Sequence, residues 1–314
     1  MQHIHDLNEV ELESSWLTIG SFDGVHLGHR QIILSLVEGA KTAGVPSVVV
    51  TFFPHPQFIL RGESRPYYLT LPEKRAQLLA ELGVDYVFTY PFNEKISHLS
   101  AKEFISSLFG TFHFQKLLIG YDFALGKDRE GDNDLLATIG GELGYDVQVI
   151  PPYKIAGELV SSSRIRKLIR EGDVLSANKL LGREFSIIGQ VIKGENRGKS
   201  LGFATSNLDV NPEVVDIMGG VYASRGLVGG EIWPAVTNIG FRPTFGEDLS
   251  KSRIEAHLLD FSDDLYGQEI ELFFVDRLRD EMKFSEVDDL VTQIQEDIDN
   301  TRQILSLERP SLPS

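Results

Sequence analysis

The chain has 314 residues, 42% of them hydrophobic, which suits two ordinary cores better than one. It has no cysteine, so disulfides, thiolate nucleophiles, Fe–S clusters and Cys-based zinc sites are excluded. A metal must then be held by oxygen or imidazole, and Mg²⁺ is the natural candidate. The formal charge of −16 repels nucleic acid and anionic membranes, so an anionic ligand has to be met by local clusters of Arg, His and backbone N–H. The opening Met-Gln-His-Ile-His-Asp lacks the basic and apolar regions of a signal peptide, and runs such as Val48 to Phe53 are too short to span a bilayer. The expectation is a cytoplasmic protein with no nucleic-acid or membrane partner; self-association is left open.

In chain order, an apolar strand at Trp16 to Ile19 runs into Gly20-Ser21-Phe22-Asp23-Gly24-Val25-His26-Leu27-Gly28-His29. A helix starts near His26 and carries its apolar periodicity from about Arg30 to Ala43. A strand at Ser47 to Phe53 ends in Pro54-His55-Pro56, where His55 reads as a strand end or a site wall. A helix over Leu71 to Leu82, a strand at Tyr86 to Thr89 and a helix over about Ala101 to Phe109 follow. Strands at Lys116 to Ile119, leading to Gly120-Tyr121-Asp122-Phe123, and at Asp146 to Ile150 complete the alternation. Such a βαβα order predicts a doubly wound parallel sheet whose ligands bind beyond the carboxyl ends of its strands.

From about Ser163 to Leu181 the pattern is helical, with Arg164, Arg166, Lys167 and Arg170 on it. Beyond Gly182-Arg183 the texture changes. Short β-branched or aromatic segments at Ser186 to Ile192, Gly220 to Ser224, Ala235 to Ile239, Ile254 to Phe261 and Glu269 to Val275 are separated by Gly, Pro and Asn turns. They predict a small antiparallel barrel, followed by a helix from about Phe284 to Ser306. The expected fold is α/β: a doubly wound nucleotidyltransferase-type domain over 1–183, then a barrel with a terminal helix over 184–314.

The Gly20 to His29 stretch has the layout of a phosphate site. Glycines let backbone amides approach an oxyanion, and the helix N-terminus adds its positive dipole. His26 and His29, three apart, share one helix face and can donate hydrogen bonds to charge developing on a transferring phosphoryl or adenylyl group. Ser161-Ser162-Ser163-Arg164-Ile165-Arg166 places hydroxyls at a helix start and two arginines on its first turn, a second arrangement suited to a triphosphate.

Together these resemble the nucleotidyltransferase superfamily, in which an H-x-G-H turn and a distal S-S-x-x-I-R helix grip ATP from opposite sides. Read with T-F-F-P-H-P, I-G-Y-D-F-A-L-G-K, G-F-A-T-S-N, G-V-Y-A, N-I-G-F-R-P-T-F and E-A-H-L-L-D-F, the chain is similar to the bifunctional prokaryotic FAD synthetases from about residue 15 to 305. In that family a riboflavin kinase makes FMN from riboflavin and ATP, and an adenylyltransferase joins FMN to AMP, releasing pyrophosphate. The resemblance implies that Gly20, Phe22, Gly24, His26 and His29 meet the ATP phosphates and that Ser162, Arg164 and Arg166 hold the triphosphate. It puts Asp122 and Phe123 beside the flavin. In the kinase half it implies Thr205 and Asn207 as oxygen ligands to Mg²⁺ and ATP, Glu255 as general base, and Gly194 and Arg197 on a loop that covers ATP.

Three departures fall in the kinase half: Ala204 and Ser206 replace a proline and an alanine of the family's P-T-A-N motif, and the usual proline before Gly220 is absent. A lost proline typically costs only ~0.4–1 kcal/mol, so the kinase is expected to be weakened, not lost. The alternative is an adenylyltransferase carrying a non-catalytic, flavin-binding barrel.

Overall fold

The computed structural model describes residues 1–62, 67–194, 203–241 and 252–307. Their contacts divide the chain into two compact units, one reaching to Ser162 without Tyr67 to Leu69, the other holding Tyr67 to Leu69 and the chain from Ser163.

The first unit contains β1 (Gln2–Ile4), β2 (Ser15–Ile19), α1 (Leu27–Ala43), β3 (Ser47–Phe53), α2 (Pro56–Arg61), α3 (Pro72–Glu81) and β4 (Tyr86–Pro91). It continues through α4 (Glu94–Ser97), α5 (Ala101–Phe112), β5 (Phe114–Gly120), α6 (Asn133–Leu143), β6 (Asp146–Ile150) and a hairpin of β7 (Lys154–Ile155) and β8 (Glu158–Leu159). Six parallel strands are ordered β1-β4-β3-β2-β5-β6. Alternate residues of each strand enter opposite cores. Val49 and Val87 pack with Ile33, Leu36 and Leu79 on the α1/α3 face, while Val48 and Val50 pack with Phe104, Leu108 and Ile139 on the α5/α6 face. From β2 the chain winds outward through β3 and β4 and then returns to β5 on the other side. The direction of winding thus reverses between β2 and β5, and the crevice beyond their carboxyl ends is where such sheets bind ligands.

In the second unit the helical stretch before residue 183 is two helices, α7 (Ser162–Arg170) and α8 (Val174–Leu181). Gly172, at φ 81°, ends the first, and the Asp173 side chain accepts from Ser176 N to start the second, so the single helix read from periodicity is broken. These helices pack with the barrel, where Asn178 Nδ2 donates to the Phe274 carbonyl at 2.8 Å; the change of texture at 183 marks where the strands begin.

The strands are β9 (Phe185–Ile192), β10 (Ser206–Val210), β11 (Gly220–Val228), β12 (Glu231–Phe241), β13 (Ser252–Leu258) and β14 (Glu269–Arg279), followed by α9 (Val287–Leu307). They close in the order β10-β13-β12-β11-β14-β9, all antiparallel, with β9 pairing back on β10. Strand β10, which carries part of the G-F-A-T-S-N motif, also closes the barrel by pairing with both β13 and β9. Ile254, Ala256 and Leu258 of β13 point inward and are buried, which leaves Arg253, Glu255 and His257 on the outer face.

Helix α9 is tied to the barrel by one buried pair. Arg279 Nε and Nη2 donate to Asp297 Oδ1 and Oδ2 at 2.9 and 2.7 Å, and Asp297 is 3% exposed. Removing one partner of such a pair strands the other, whereas the pair itself is close to neutral. Asp297→Ala is expected to destabilise the second unit by about 3 kcal/mol, the low end for a buried pair because Arg279 keeps some solvent. Urea unfolding followed at the barrel would check it, and an unchanged midpoint would show that the pair does not anchor the helix.

Candidate active sites

The turn between β2 and α1 lies at the reversal point of the sheet, and its backbone is strained. Phe22 and Val25 have φ of 45° and 40°, and Gly24 has φ of 84°. Left-handed backbone is rare for any side chain and an outlier for β-branched Val25. Phe22 and Val25 are nevertheless buried in the α1/α3 core. A polar framework holds what lies between them. Asp23, 1% exposed, accepts from Thr70 N at 2.9 Å and Thr70 Oγ1 at 3.2 Å, and Gly24 N donates to Thr70 Oγ1 at 2.9 Å. Arg75, fully buried, stands 3.7 Å from Asp23 Oδ1 and donates to Thr51 Oγ1, the Phe52 carbonyl and the Thr70 carbonyl. Thr51 in turn donates to the Ser21 carbonyl.

His26 is the N-cap of α1, and its Nδ1 accepts from His29 N at 3.2 Å. A backbone N–H only donates, so Nδ1 is unprotonated and the neutral ring carries its proton on Nε2. The imidazoles of His26 and His29 stack with centroids 3.6 Å apart, and Phe22 packs edge-on to His29. A side chain at Gly28 would come within 3.2 Å of the His26 ring, so glycine there makes room for the cap. With His29 N taken by the cap and Arg30 N by the His26 carbonyl, the amides of Leu27 and Gly28 are the first-turn donors that a helix start turns toward an anion, beside the two rings.

Ser162 joins this turn: its Oγ donates to the Asp23 carbonyl at 2.9 Å. Asp122 is exposed in the loop after β5, the strand beside β2, while Phe123 packs its ring on the α5/α6 core. His55 caps α2, with Nδ1 accepting from Gln57 N. In the second unit, Arg164 is partly buried, and Arg166, 4% exposed, stacks 3.6 Å over the Tyr67 ring and donates from Nε to the Tyr67 carbonyl.

The second constellation lies on the barrel's outer face. Asn207 on β10 is directly opposite Glu255 on β13, and Arg253 bridges them, with Nε 2.9 Å from Asn207 Oδ1 and Nη2 2.7 Å from Glu255 Oε1. A Cβ at Gly194 would fall 1.9 Å from Asn207 Nδ2, so the backbone of residue 194 lies against that amide. Arg197 lies outside the described residues. Over this face is a cavity of about 270 Å³, bounded by Thr205, Glu255 and His257 on one side and by apolar Val221, Val236, Phe284, Leu290 and Ile294. Its apolar wall suits a flat aromatic ligand, and its polar side offers a carboxylate to a hydroxyl.

Arg75, Thr70, Arg253 and His257 were not singled out from the sequence. One signal was legible: Arg75 occupies an apolar-stripe position of its helix, with Pro72, Ala76, Leu78 and Leu79 as the other buried residues.

An anion-facing helix mouth at a sheet reversal and a carboxylate–amide pair on a barrel define a two-module nucleotide-using transferase. The FAD synthetase family model matches residues 8–164, and the riboflavin kinase model matches 181–305. A bifunctional riboflavin kinase/FMN adenylyltransferase of Escherichia coli (strain K12) is 36% identical over 310 residues, covering 98% of both chains. Proteins of the same description from Bacillus subtilis (strain 168) and Pseudomonas fluorescens are 35% and 38% identical, covering 94% and 91% of this chain. A solved structure described as a macrolide-efflux protein from Streptococcus pneumoniae is 28% identical with a TM-score of 0.87, covering 96% of this chain and 98% of its own. Among the described residues no helix is long and apolar enough to cross a membrane. The chain belongs to the bifunctional riboflavin kinase/FMN adenylyltransferase family.

Replacing Arg75 by Met removes the guanidinium that stands 3.7 Å from the buried Asp23 carboxylate, and breaking a buried pair typically costs about 3–5 kcal/mol. Arg75→Met is expected to destabilise the first unit by that order and to lower FAD formation from FMN far more than riboflavin phosphorylation. Unfolding curves and the two separate assays would check this; equal losses of both activities would show that the framework does not serve one site.

Proposed function

We propose that the barrel module, 184–314, phosphorylates riboflavin to FMN with ATP, and that the first module, 1–183, adenylylates FMN to FAD with release of pyrophosphate. The observation that carries this reading is the presence of both constellations on one chain, each built on its own scaffold.

In the first reaction, Glu255 accepts the proton of the riboflavin 5′-hydroxyl as its oxygen attacks the γ-phosphorus of ATP and ADP leaves. Arg253 keeps that carboxylate aimed into the cavity. Thr205 Oγ1 and Asn207 Oδ1 would be the protein oxygens for Mg²⁺, a hard cation that completes its shell with phosphate and water; Asn207 Oδ1 already accepts from Arg253 Nε, so it would have to give its second lone pair to the ion. The ion would neutralise charge on the transferring phosphoryl group. The apolar wall from α9 and β11–β12 would hold the ring system and keep water from the transferred group.

In the second reaction, a phosphate oxygen of FMN attacks the α-phosphorus of ATP and the bond to pyrophosphate breaks. The His26 and His29 rings and the amides of Leu27 and Gly28 stabilise the charge that develops. Gly20, Phe22 and Gly24 shape the turn, and Ser162, Arg164 and Arg166 serve the triphosphate. In the structure Arg166 is stacked on Tyr67, so its part in ATP binding requires the guanidinium to keep donors to spare or to turn. Asp122 and Phe123 border the flavin end of the crevice. A cytoplasmic setting suits both activities, since each consumes ATP.

Two substitutions separate the modules. His29→Ala is expected to lower FAD formation from FMN by ~10²–10³ while riboflavin phosphorylation continues. Glu255→Gln is expected to lower FMN formation by ~10²–10⁴ and spare FAD formation from supplied FMN. Chromatographic separation of the flavins after incubation with ATP and Mg²⁺ reads both. A wild type that makes FAD from FMN but no FMN from riboflavin, and that Ala204→Pro does not rescue, would leave the adenylyltransferase with a flavin-binding appendage.

A further inference from the structure

The segment Ala204-Thr205 carries the hydroxyl placed at the metal and yet lies just outside the barrel ladder. Pairing of β10 with β13 begins at Ser206 opposite Ala256, and one step earlier no strand residue holds the chain. At that step the outer face of β13 presents His257, whose Nδ1 lies 2.7 Å from the Ala204 carbonyl oxygen. A carbonyl only accepts, so Nδ1 must carry the proton and donate. The imidazole is also gripped edge-on by Phe203, with centroids 5.8 Å apart and planes at 88°. At the other end of the segment Arg253 holds Asn207.

We propose that His257 is a positioning residue of the phosphoryl-transfer site: by donating to the Ala204 carbonyl it holds Thr205 where the metal–nucleotide must meet it. The inference rests on the kinase reading above. It also accounts for Ala204. A proline in this place stiffens the chain through its ring, and here a side-chain hydrogen bond from the neighbouring strand limits the same freedom.

The three variants to compare in the full-length protein are His257→Ala, His257→Asn and His257→Gln. The Asn amide nitrogen stands where imidazole Nδ1 stands and can donate to the same carbonyl, while the Gln amide lies one bond further out, near the place of Nε2. His257→Ala and His257→Gln are expected to raise the KM for Mg·ATP in riboflavin phosphorylation roughly three- to tenfold, the worth of one positioning hydrogen bond, with His257→Asn within about twofold of wild type. FAD formation from supplied FMN should be the same in all four proteins. Hydrogen exchange of the amides at 203–206 should quicken in the Ala and Gln variants and not in Asn.

The proposal is overturned if His257→Ala behaves as wild type, if Asn is no better than Gln, or if exchange is uniform across the four. A rise in the KM for riboflavin in Ala and Asn alike would make His257 a direct flavin contact and would overturn it too. If the wild type fails to phosphorylate riboflavin, the kinase reading fails, and the exchange comparison still decides whether His257 pins the segment.

Discussion

The first module depends on a turn that is bent the wrong way for its side chains and held there. Burying Phe22 and Val25 contributes roughly 1.5–3 kcal/mol each, while left-handed backbone costs on the order of 1–3 kcal/mol per residue. The two effects are of similar size, so apolar burial alone does not decide the conformation. Asp23, Thr70 and Arg75 decide it, because in the interior a carboxylate, two amides and a guanidinium each lose heavily when a partner is missing. The buried cation and anion are thus a clamp whose value lies in specificity. With the turn so held, His26 caps α1 through Nδ1 and its ring stacks on His29 at the sheet reversal.

The barrel solves a different problem. A small closed barrel fills its own interior, here with residues such as Ile254, Ala256 and Leu258, so there is no room inside for a substrate. Chemistry moves to the outer face, and an outer face needs a cover. Helix α9 supplies one through Leu290 and Ile294, and the Arg279–Asp297 pair holds it in place. The period of two along β13 then serves two ends at once: Ile254, Ala256 and Leu258 pack the core, while Glu255 and His257 line the cavity.

Both sites also show how an acidic chain handles anionic substrates. A net charge of −16 gives an unfavourable far field for ATP. On the proposed reading the answer in each module is local and short-ranged: a helix mouth with two imidazoles in one, and in the other oxygen ligands that would recruit a divalent cation.

Much of this was legible in the sequence because the signals are local. Short, β-branched and aromatic runs such as Val48 to Phe53 read as strands buried on both faces, and alternation of β and α patterns predicts their parallel winding. Glycine spacing and two histidines three apart mark a helix mouth; Thr205, Asn207 and Glu255 were legible through the family's motifs. What the sequence could not supply was long-range pairing. The break at Gly172 was readable in principle, since Glu-Gly-Asp combines a stop and a cap, but the apolar periodicity runs through it. Strand β10 was missed because five polar-rich residues carry too little alternation to stand out. The buried role of Arg75, the bond from Arg253 to Asn207 and the bond from His257 to Ala204 join residues about 20 to 50 positions apart. Residue types and local spacing determined the two folds and pointed to the proposed reactive groups; only the tertiary structure decided what holds those side chains in place, because burial and register bring together residues that the chain keeps apart.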